Sequence, residues 1–429
     1  MMNIIQNIKV NKLYIISSLV IFILLNISYV FDVSVYYNHS YLPFIVHFNA
    51  LKFIAIIALS VSITIAGALI KSEFIRLIWY VLLIMQYYSS AILYCYYPNI
   101  SFGIVLQNII LLGVLFAAGL IKPNVKLPSF SLANNHKYFM ILSVLMFAPF
   151  VYYYWQFISL GDLLLNKDDI SHTRALFRTV NVPMLGYLIS PLSRILFPIL
   201  MVYSIKSKKY HLFVISAMVI AYLFLCSATK SVLVGGMLSA FFYYGDKWRD
   251  KFKLLSLLII SLLVISVIAS HLFSIRLFTD AFVRRVFFVP PFLDDIYHLY
   301  FIDNYTFWGH SPFGMHLHDV SFMNGKGVSM FIGEDVLGFE GLNANIGVIT
   351  EGYLSFGYIG VIIHSLAFAS IFIYIRILKI SPHYFGIIFA YLFYFNSSLF
   401  STLLLTHGLL FLLIIFTLFL QNTKDDFNA

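Results

Sequence analysis

Long apolar runs, separated by short polar gaps, follow one another along almost the whole chain. A helix needs about 20 predominantly apolar residues to cross the hydrocarbon core of a bilayer. Runs of about this length predict twelve spans, at 13–31, 44–70, 75–97, 101–121, 138–158, 184–205, 210–228, 230–245, 254–272, 353–377, 384–399 and 401–420. The pattern therefore predicts an all-α, polytopic integral membrane protein with about 12 transmembrane helices.

The composition agrees with a membrane protein and excludes the soluble classes. Hydrophobic residues make up 61% and charged residues 10% of the chain, whereas soluble proteins have roughly 45–50% and roughly 25%. So few charges cannot cover the surface of a water-soluble fold. The net charge of +9 does not indicate nucleic-acid binding, because the basic residues are scattered over short gaps between the spans.

Two further features narrow the class. The two cysteines, Cys95 and Cys226, lie in apolar runs, so we expect neither a disulfide framework nor a cysteine-based metal site. The first run, 13–31, is too long for the core of a signal peptide and lacks a small-residue cleavage site. We expect it to be a retained helix.

The distribution of lysine and arginine predicts the orientation. One set of alternate gaps holds most of these residues, including Lys9, Lys12, Lys206, Lys208 and Lys209, while the opposite gaps are nearly neutral or acidic. Cytoplasmic loops carry the excess of basic residues in membrane proteins. Both termini are therefore predicted to be cytoplasmic, in a membrane of the inner-membrane type.

Two gaps on the predicted outer face are long, 159–183 and 273–352. We expect nine spans in 1–272, a large periplasmic loop at 273–352, and three spans with a cytoplasmic tail in 353–429. The large loop holds nine of the 18 acidic residues of the chain. Polar, glycine-rich loops on a rigid scaffold are where binding and chemistry are usually located, so we look for function outside the membrane.

In the first outer gap, Arg174 and Arg178 are four residues apart and would share one face of an interfacial amphipathic helix. Two guanidinium groups in this position could bind a diphosphate through paired N–H donors. Contact with ordinary lipid phosphates is the alternative.

Two more basic residues are candidates for substrate binding. Arg194 lies within a predicted span between Pro191 and Pro198, where a charge is costly unless it is paired or hydrated. The prolines suggest an interrupted helix that lines a cavity; the alternative is that Arg194 reaches the membrane surface. Lys230 lies at a short outer turn.

The large loop contains further candidates. Arg276, Arg284 and Arg285 open it among aromatic residues, as would suit a lipid-linked anion at the membrane surface; a juxtamembrane amphipathic helix is the alternative. Candidate general bases are His318, Asp319 and Glu351, although solvated polar groups explain each of them equally well. The remaining polar groups of interest are His316, with no recognisable zinc spacing, and Asp294 and Asp295, which either bind a divalent cation or are simply solvated.

The stretch NANIGVITEGYLSFGYIGVII, residues 343–363, resembles the late segment of bacterial O-antigen polymerases of the Wzy type. The family resemblance implies ten or more helices, cytoplasmic termini and two functional outer loops that carry arginines. It covers most of the chain as a pattern and about twenty residues as a motif.

The resemblance also implies a reaction. A glycan on undecaprenyl diphosphate is transferred to the terminal sugar hydroxyl of another lipid-linked repeat unit, without a cofactor. The outer arginines would stabilise the departing diphosphate, and one of His318, Asp319 or Glu351 would act as base, with Arg194 and Lys230 binding substrate. The implied partners are the lipid-linked oligosaccharide, membrane lipids and a chain-length regulator protein.

Two other functions stay open from the sequence. An O-antigen ligase would transfer the finished glycan to lipid A-core and has a similar helix count and a large outer loop. A flippase or transporter of the lipid-linked unit is the third candidate. Transporters of this kind are often built from repeated halves around a central site, and the length of 273–352 favours an enzyme instead.

Overall fold

The computed structural model describes residues 2–40, 42–123, 125, 136–155, 158, 172–173, 177, 185–315 and 317–421. Every regular element in these ranges is helical. The helices are α1 (Asn11–Tyr36), α2 (Ala50–Leu69), α3 (Glu73–Tyr96), α4 (Phe102–Leu120), α5 (His136–Tyr154), α6 (Tyr187–Lys206), α7 (Tyr210–Ser227), α8 (Lys230–Phe241), α9 (Trp248–Phe273), α10 (Val289–Phe301), α11 (Val348–Ile377), α12 (Phe385–Phe395) and α13 (Phe400–Leu420). A π-helical segment, Thr279–Phe288, leads into α10.

Ten of these described helices are long and apolar enough to cross a membrane, which confirms a multi-pass helical membrane protein. Two of the twelve predicted spans, 230–245 and 384–399, correspond to the shorter helices α8 and α12, of 12 and 11 residues. At a rise of 1.5 Å per residue each covers less than about 20 Å, and the hydrocarbon core is about 30 Å thick. The direction of each crossing stays a prediction.

The chain forms two compact units. The first comprises Met1–Pro123, Phe252–Ile373 and Tyr394–Ser401, and the second comprises Asn124–Lys251, Tyr374–Phe393 and Thr402–Ala429. The first therefore contains α1 to α4, most of α9, α10 and nearly all of α11. The second contains α5 to α8, most of α12 and most of α13.

Helix α3 is the centre of the first unit, with 89% of its most apolar window buried, against 22% for α2. Three of its tyrosine side chains, Tyr80, Tyr87 and Tyr88, are buried and have hydrogen-bonded hydroxyl groups. Tyr88 lies 2.7 Å from the Thr64 hydroxyl on α2, and Tyr80 lies 2.8 Å from the Ser256 hydroxyl on α9. Hydrogen bonds of this kind hold apolar helices together where lipid gives no hydrophobic driving force between them.

In the second unit, the Lys251 side chain closes the end of α8. Its ammonium nitrogen donates to the carbonyl oxygens of Phe242, Tyr243, Tyr244 and Gly245 at 2.6, 3.1, 2.7 and 2.6 Å. These four residues follow Phe241, the last residue of α8. Lys251 therefore fixes the turn that follows α8.

Helix α11 reverses its direction within the range Val348–Ile377. Phe356 and Gly357 have non-helical dihedral angles, with φ of 61° at Gly357. The Nδ1 atom of His364 lies 2.8 Å from the carbonyl oxygen of Val348, whereas 16 residues of straight helix would separate them by about 24 Å. The first limb, 348–355, therefore folds back on the second, 358–377. We call these two limbs the helical hairpin.

Candidate functional site

The arginines that open the large loop gather at the carboxyl end of α1. The Arg284 guanidinium donates to one carboxylate oxygen of Asp280 through Nε at 2.9 Å and Nη2 at 2.5 Å, and it lies 4.5 Å from the centre of the Tyr37 ring. The Arg276 guanidinium lies 4.2 Å from the centre of the Tyr36 ring. The Nε atom of Arg285 is 3.8 Å from the other oxygen of Asp280. We call these three arginines the arginine cluster.

The three arginines of the cluster differ in how deeply their side chains are buried. Arg284 is 5% exposed, and its Nε and Nη2 atoms both donate to one oxygen of Asp280, within the π-helical segment. Arg276 is exposed, and the side chain of Arg285 is 62% exposed. These two present guanidinium donors to a ligand. Since planar guanidinium groups match phosphate oxygens in geometry and charge, the cluster is suited to an anion.

Glu351 lies in the first limb of the helical hairpin and is 1% exposed. One carboxylate oxygen lies 3.4 Å from Nε2 of His310, and the other accepts a short hydrogen bond from the main-chain N–H of Phe400 at the start of α13. His310 is equally buried, and its Nδ1 lies 2.8 Å from the Thr306 hydroxyl. In this conformation the Glu351 carboxylate connects the turn at His310 to the start of α13, and its role as a base stays a prediction.

A second histidine fastens the helical hairpin. The indole N–H of Trp308 donates to Nε2 of His364 at 3.2 Å. Because Nε2 accepts, Nδ1 carries the hydrogen of the neutral ring and donates to the Val348 carbonyl. The main-chain N–H groups of Thr306 and Phe307 donate to the first limb as well. The turn 306–310, which belongs to the large loop, therefore forms one structural unit with both limbs of the helical hairpin.

The carboxylates of Asp294 and Asp295 are not a solvated pair, because each accepts a hydrogen bond from a different donor. Asp294 accepts a hydrogen bond of 2.6 Å from the Thr350 hydroxyl, and Asp295 accepts one of 2.8 Å from the main-chain N–H of Ser101. Burial raises the pKa of Asp294 to about 7 and the pKa of Asp295 to about 6. Asp294 also lines a small cavity with Gln107 and other polar residues.

The remaining loop candidates, His318 and Asp319, are exposed. The Asp319 carboxylate accepts from the main-chain N–H and the hydroxyl of Ser321 at 2.8 and 3.0 Å, and the His318 ring packs against Phe307. Neither is held against the arginine cluster. In the part of the chain that the structure describes, no group of three or more histidine, cysteine, aspartate or glutamate side chains could hold a metal.

Arg194 and Lys230 belong to the second unit. Helix α6 runs through Pro191 and Pro198, with a π-helical turn at Leu192–Leu196 that accommodates the second proline. Helix α6 is continuous through both prolines, so the interruption predicted there is wrong. A separate break lies in α13, where Gly408 has a φ of 79° and packs against Pro191 and Ile195. Lys230 is exposed at the first turn of α8. The structure therefore does not join these two residues into one site.

Three predicted residues, Arg174, Arg178 and His316, lie outside the described residues. Conversely, sequence reasoning missed Thr306, His310, His364 and the amides Gln86 and Gln107. The available signal was a polar side chain inside an apolar run, which membrane proteins rarely carry without a structural or functional reason.

No protein-family model, no curated protein and no solved structure matches this chain. The fold and the site define a multi-pass helical membrane protein with an arginine cluster at one end of α1 and a buried polar network around the helical hairpin.

Proposed function

We propose that the protein is a glycosyltransferase of the bacterial inner membrane. In this proposal it polymerises undecaprenyl-diphosphate-linked oligosaccharide repeat units into O-antigen or a related surface polysaccharide at the periplasmic face. The observation that carries the proposal is the arginine cluster at the end of an apolar helix. The resemblance of residues 343–363 to the O-antigen polymerases supports it.

The charge of the arginine cluster suits a diphosphate diester. Three guanidinium groups against the single carboxylate of Asp280 leave a formal excess of two positive charges, which balances the two negative charges of such a lipid. When the diphosphate leaves the anomeric carbon, more negative charge develops on its oxygens, and positioned cations stabilise that charge. The exposed Arg276 and Arg285 would contact it directly, while Arg284 holds the segment in place.

The location of the cluster suits a lipid-linked donor. It packs on Tyr36 and Tyr37, at the end of α1 opposite Lys12. With lysines on the cytoplasmic side, this end of α1 faces the periplasm. An isoprenoid tail would then lie in the apolar region beside the helices, with its diphosphate at the height of the arginines and its sugars in the large loop.

The acceptor hydroxyl needs a base, and the exposed His318 and Asp319 are the candidates in the large loop. Their imidazole or carboxylate would take the proton as the hydroxyl oxygen bonds to the anomeric carbon and the carbon–diphosphate bond breaks. Glu351 would act through the helical hairpin, by holding the turn that precedes these residues.

The proposal also includes the membrane topology, that is, the number of crossings and the side on which each terminus lies. Ten long helices and the shorter α8 and α12 would give about twelve crossings, both termini in the cytoplasm and the segment after α9 in the periplasm. A reporter enzyme fused within the loop at Gly325 should be active in the periplasm. Cytosolic activity of that fusion would contradict the scheme.

The function is tested by deleting the gene in its native strain and complementing it with variants. We expect deletion to reduce the ladder of long glycans to single repeats on lipid A-core, and R276A and R285A to shorten the glycans at matched expression. The matched control is K326A, which removes a loop cation paired with Glu334 and Asp335 and should leave glycan length unchanged.

Three results would contradict the proposal. An unchanged ladder after deletion would exclude polymerisation. Loss of all capped core, with long chains kept on the carrier lipid, would indicate the ligase. Purified protein that does not lengthen glycan in proteoliposomes, when lipid-linked repeats are already on the outer side, would favour the transporter.

A further inference from the structure

A small cavity inside the first unit is lined by six polar residues and by six apolar or glycine residues. Its polar lining residues are Gln86, Gln107, Asn108, Asp294, Thr350 and Asn396. About 10 Å³ is open to the centre of a water molecule, which is room for about one water-sized species. The described elements that meet here are α3, α4, α10, the helical hairpin and the segment before α13.

The hydrogen-bond donors of Asn108 and Thr350 are already used by neighbours. The Asn108 amide nitrogen donates to the Ser90 hydroxyl and to the Ile104 carbonyl, both at 2.9 Å. The Thr350 hydroxyl donates to Asp294 at 2.6 Å. The amide oxygen of Asn108 and the lone pairs of the Thr350 oxygen therefore remain for whatever occupies the cavity.

Two glutamines add oxygens without a partner. The Gln86 amide nitrogen donates to Asn396, and the Gln86 oxygen has no hydrogen bond within the described residues. Gln107 is 2% exposed, and both atoms of its amide lack a hydrogen bond there. Buried polar atoms are almost always paired, so an unpaired amide that faces a cavity indicates a ligand.

Above its pKa of about 7, Asp294 places a negative charge in the cavity, and no lining residue compensates that charge. Asp294 contributes a carboxylate, Asp295 is its sequence neighbour, and no lysine, arginine or histidine is among the residues that line the cavity. A water molecule would complete hydrogen bonds but would leave this charge unbalanced. An oxygen-rich cavity with one net negative charge, among apolar helices, fits a small monovalent cation.

We propose that this cavity binds one sodium ion, with oxygen ligands from Asp294, Thr350 and the amides of Gln86, Gln107 and Asn108. A single carboxylate matches a single positive charge, and a divalent ion usually takes more carboxylate or water ligands. The small volume leaves room for one such ion and for no additional water molecule. The bound ion ties α3, α4 and α10 to the first limb of the helical hairpin, next to Glu351. The inference does not depend on the proposed glycosyl transfer.

The test is the thermal unfolding of the purified full-length protein in detergent, followed by tryptophan fluorescence. Sodium chloride replaces choline chloride at constant total chloride, at about pH 8, above the pKa of Asp294. We expect sodium to raise Tm saturably by about 2–5 °C, because a ligand that binds only the folded state stabilises it. Potassium chloride should raise Tm less.

Variants test whether the sodium-dependent rise in Tm arises from binding in this cavity. We expect D294N and Q107L to lose the sodium-dependent rise in Tm, whereas E340Q, which changes an exposed carboxylate, should keep it. Should D294N fail to fold, Q107L keeps the charge and removes only ligand atoms. Binding of radioactive sodium to the wild-type protein is an independent readout.

Two outcomes would overturn the inference. The first is a Tm equal in sodium and choline together with no bound radioactive sodium, which would mean that Asp294 is neutralised by a proton. The second is a sodium effect of the same size in D294N and Q107L, which would place the ion elsewhere.

Discussion

The Nδ1 atom of His364 lies 2.8 Å from the carbonyl oxygen of Val348, although the two residues are 16 positions apart in one apolar stretch. This contact shows that the stretch is a helical hairpin and not a straight span. The first limb carries Glu351 and Thr350, and the second, 358–377, is 20 residues long. That length, about 30 Å, matches the hydrocarbon core of a bilayer.

Replacing His364 by alanine should weaken the helical hairpin. The variant loses the bonds to Val348 and Trp308 and leaves the indole N–H of the half-buried Trp308 without this partner. Each unsatisfied buried group costs about 1–3 kcal/mol. We expect a lower Tm in detergent for H364A, and no change for H318A, which alters an exposed histidine. Equal Tm values for H364A and the wild type would show that the hairpin does not need this contact.

Gly357 should not tolerate a side chain. Its φ of 61° lies in the left-handed region, and a Cβ atom there would approach the Tyr305 hydroxyl to 2.9 Å. With a ψ of −144° the residue lies in a region that is essentially restricted to glycine and costs another residue about 1–3 kcal/mol, and the contact adds to this cost. G357A should therefore lower Tm.

Gly113 is the matched control for Gly357. It lies in α4, and a Cβ atom there would meet nothing within 4 Å. Alanine favours a helix over glycine by about 1 kcal/mol, so G113A should keep or raise Tm. If G357A behaved like G113A, the sharp reversal at Phe356–Gly357 would be wrong.

Glu351 should be replaceable by an uncharged residue that keeps its shape. E351Q retains an oxygen that accepts from the Phe400 N–H, whereas E351A leaves that donor and His310 without a buried partner. We expect E351Q to keep both Tm and glycan length close to the wild type, and E351A to lower both. A folded E351Q protein that makes no long glycan would instead identify Glu351 as the base.

Stability should depend on pH through Asp294. Burial raises the pKa of this carboxyl from 3.8 to about 7, so the folded state binds more protons than the unfolded state between these values. Stability contributed by this group is therefore greatest below about pH 4 and falls as pH rises to about 7. In sodium-free buffer the Tm of the wild type should fall over this range more steeply than that of D294N.

The neighbouring Asp295 contributes in the same direction, because burial raises its pKa to about 6. It is present in both proteins, so the difference between wild type and D294N isolates Asp294. The result that contradicts the prediction is a parallel pH dependence of Tm in the two proteins, measured in choline chloride.

The sequence predicted the loop arginines as a group, but not their arrangement. Arg276, Arg284 and Arg285 are close along the chain, so their proximity was expected. Nothing in the sequence indicated that Asp280 binds two of them or that Tyr36 and Tyr37 lie under the guanidinium groups. Those contacts join 276–285 to the end of α1 and depend on tertiary packing.

For Glu351, unlike the arginines, the sequence did not predict the residues that lie close to it. Its position just before an apolar run made it a candidate base in an outer loop. The structure buries it against His310 and Phe400, residues 41 and 49 positions away. Proximity across such distances in the chain is not encoded in local hydrophobic periodicity, so the sequence could not distinguish an exposed base from a buried anchor.

By itself, the sequence determined that the protein lies in a lipid bilayer and that its secondary structure is helical. Apolar runs without charges can only be stable in lipid as helices, because every backbone group must be paired within its own segment, and this fixes the class from composition and length alone. The tertiary structure decided which polar side chains meet. The reversal at Gly357, the oxygen-lined cavity beside Asp294 and the pairing of Arg284 with Asp280 all arise from packing between segments far apart in the chain or from one backbone conformation, and no apolar pattern specifies them.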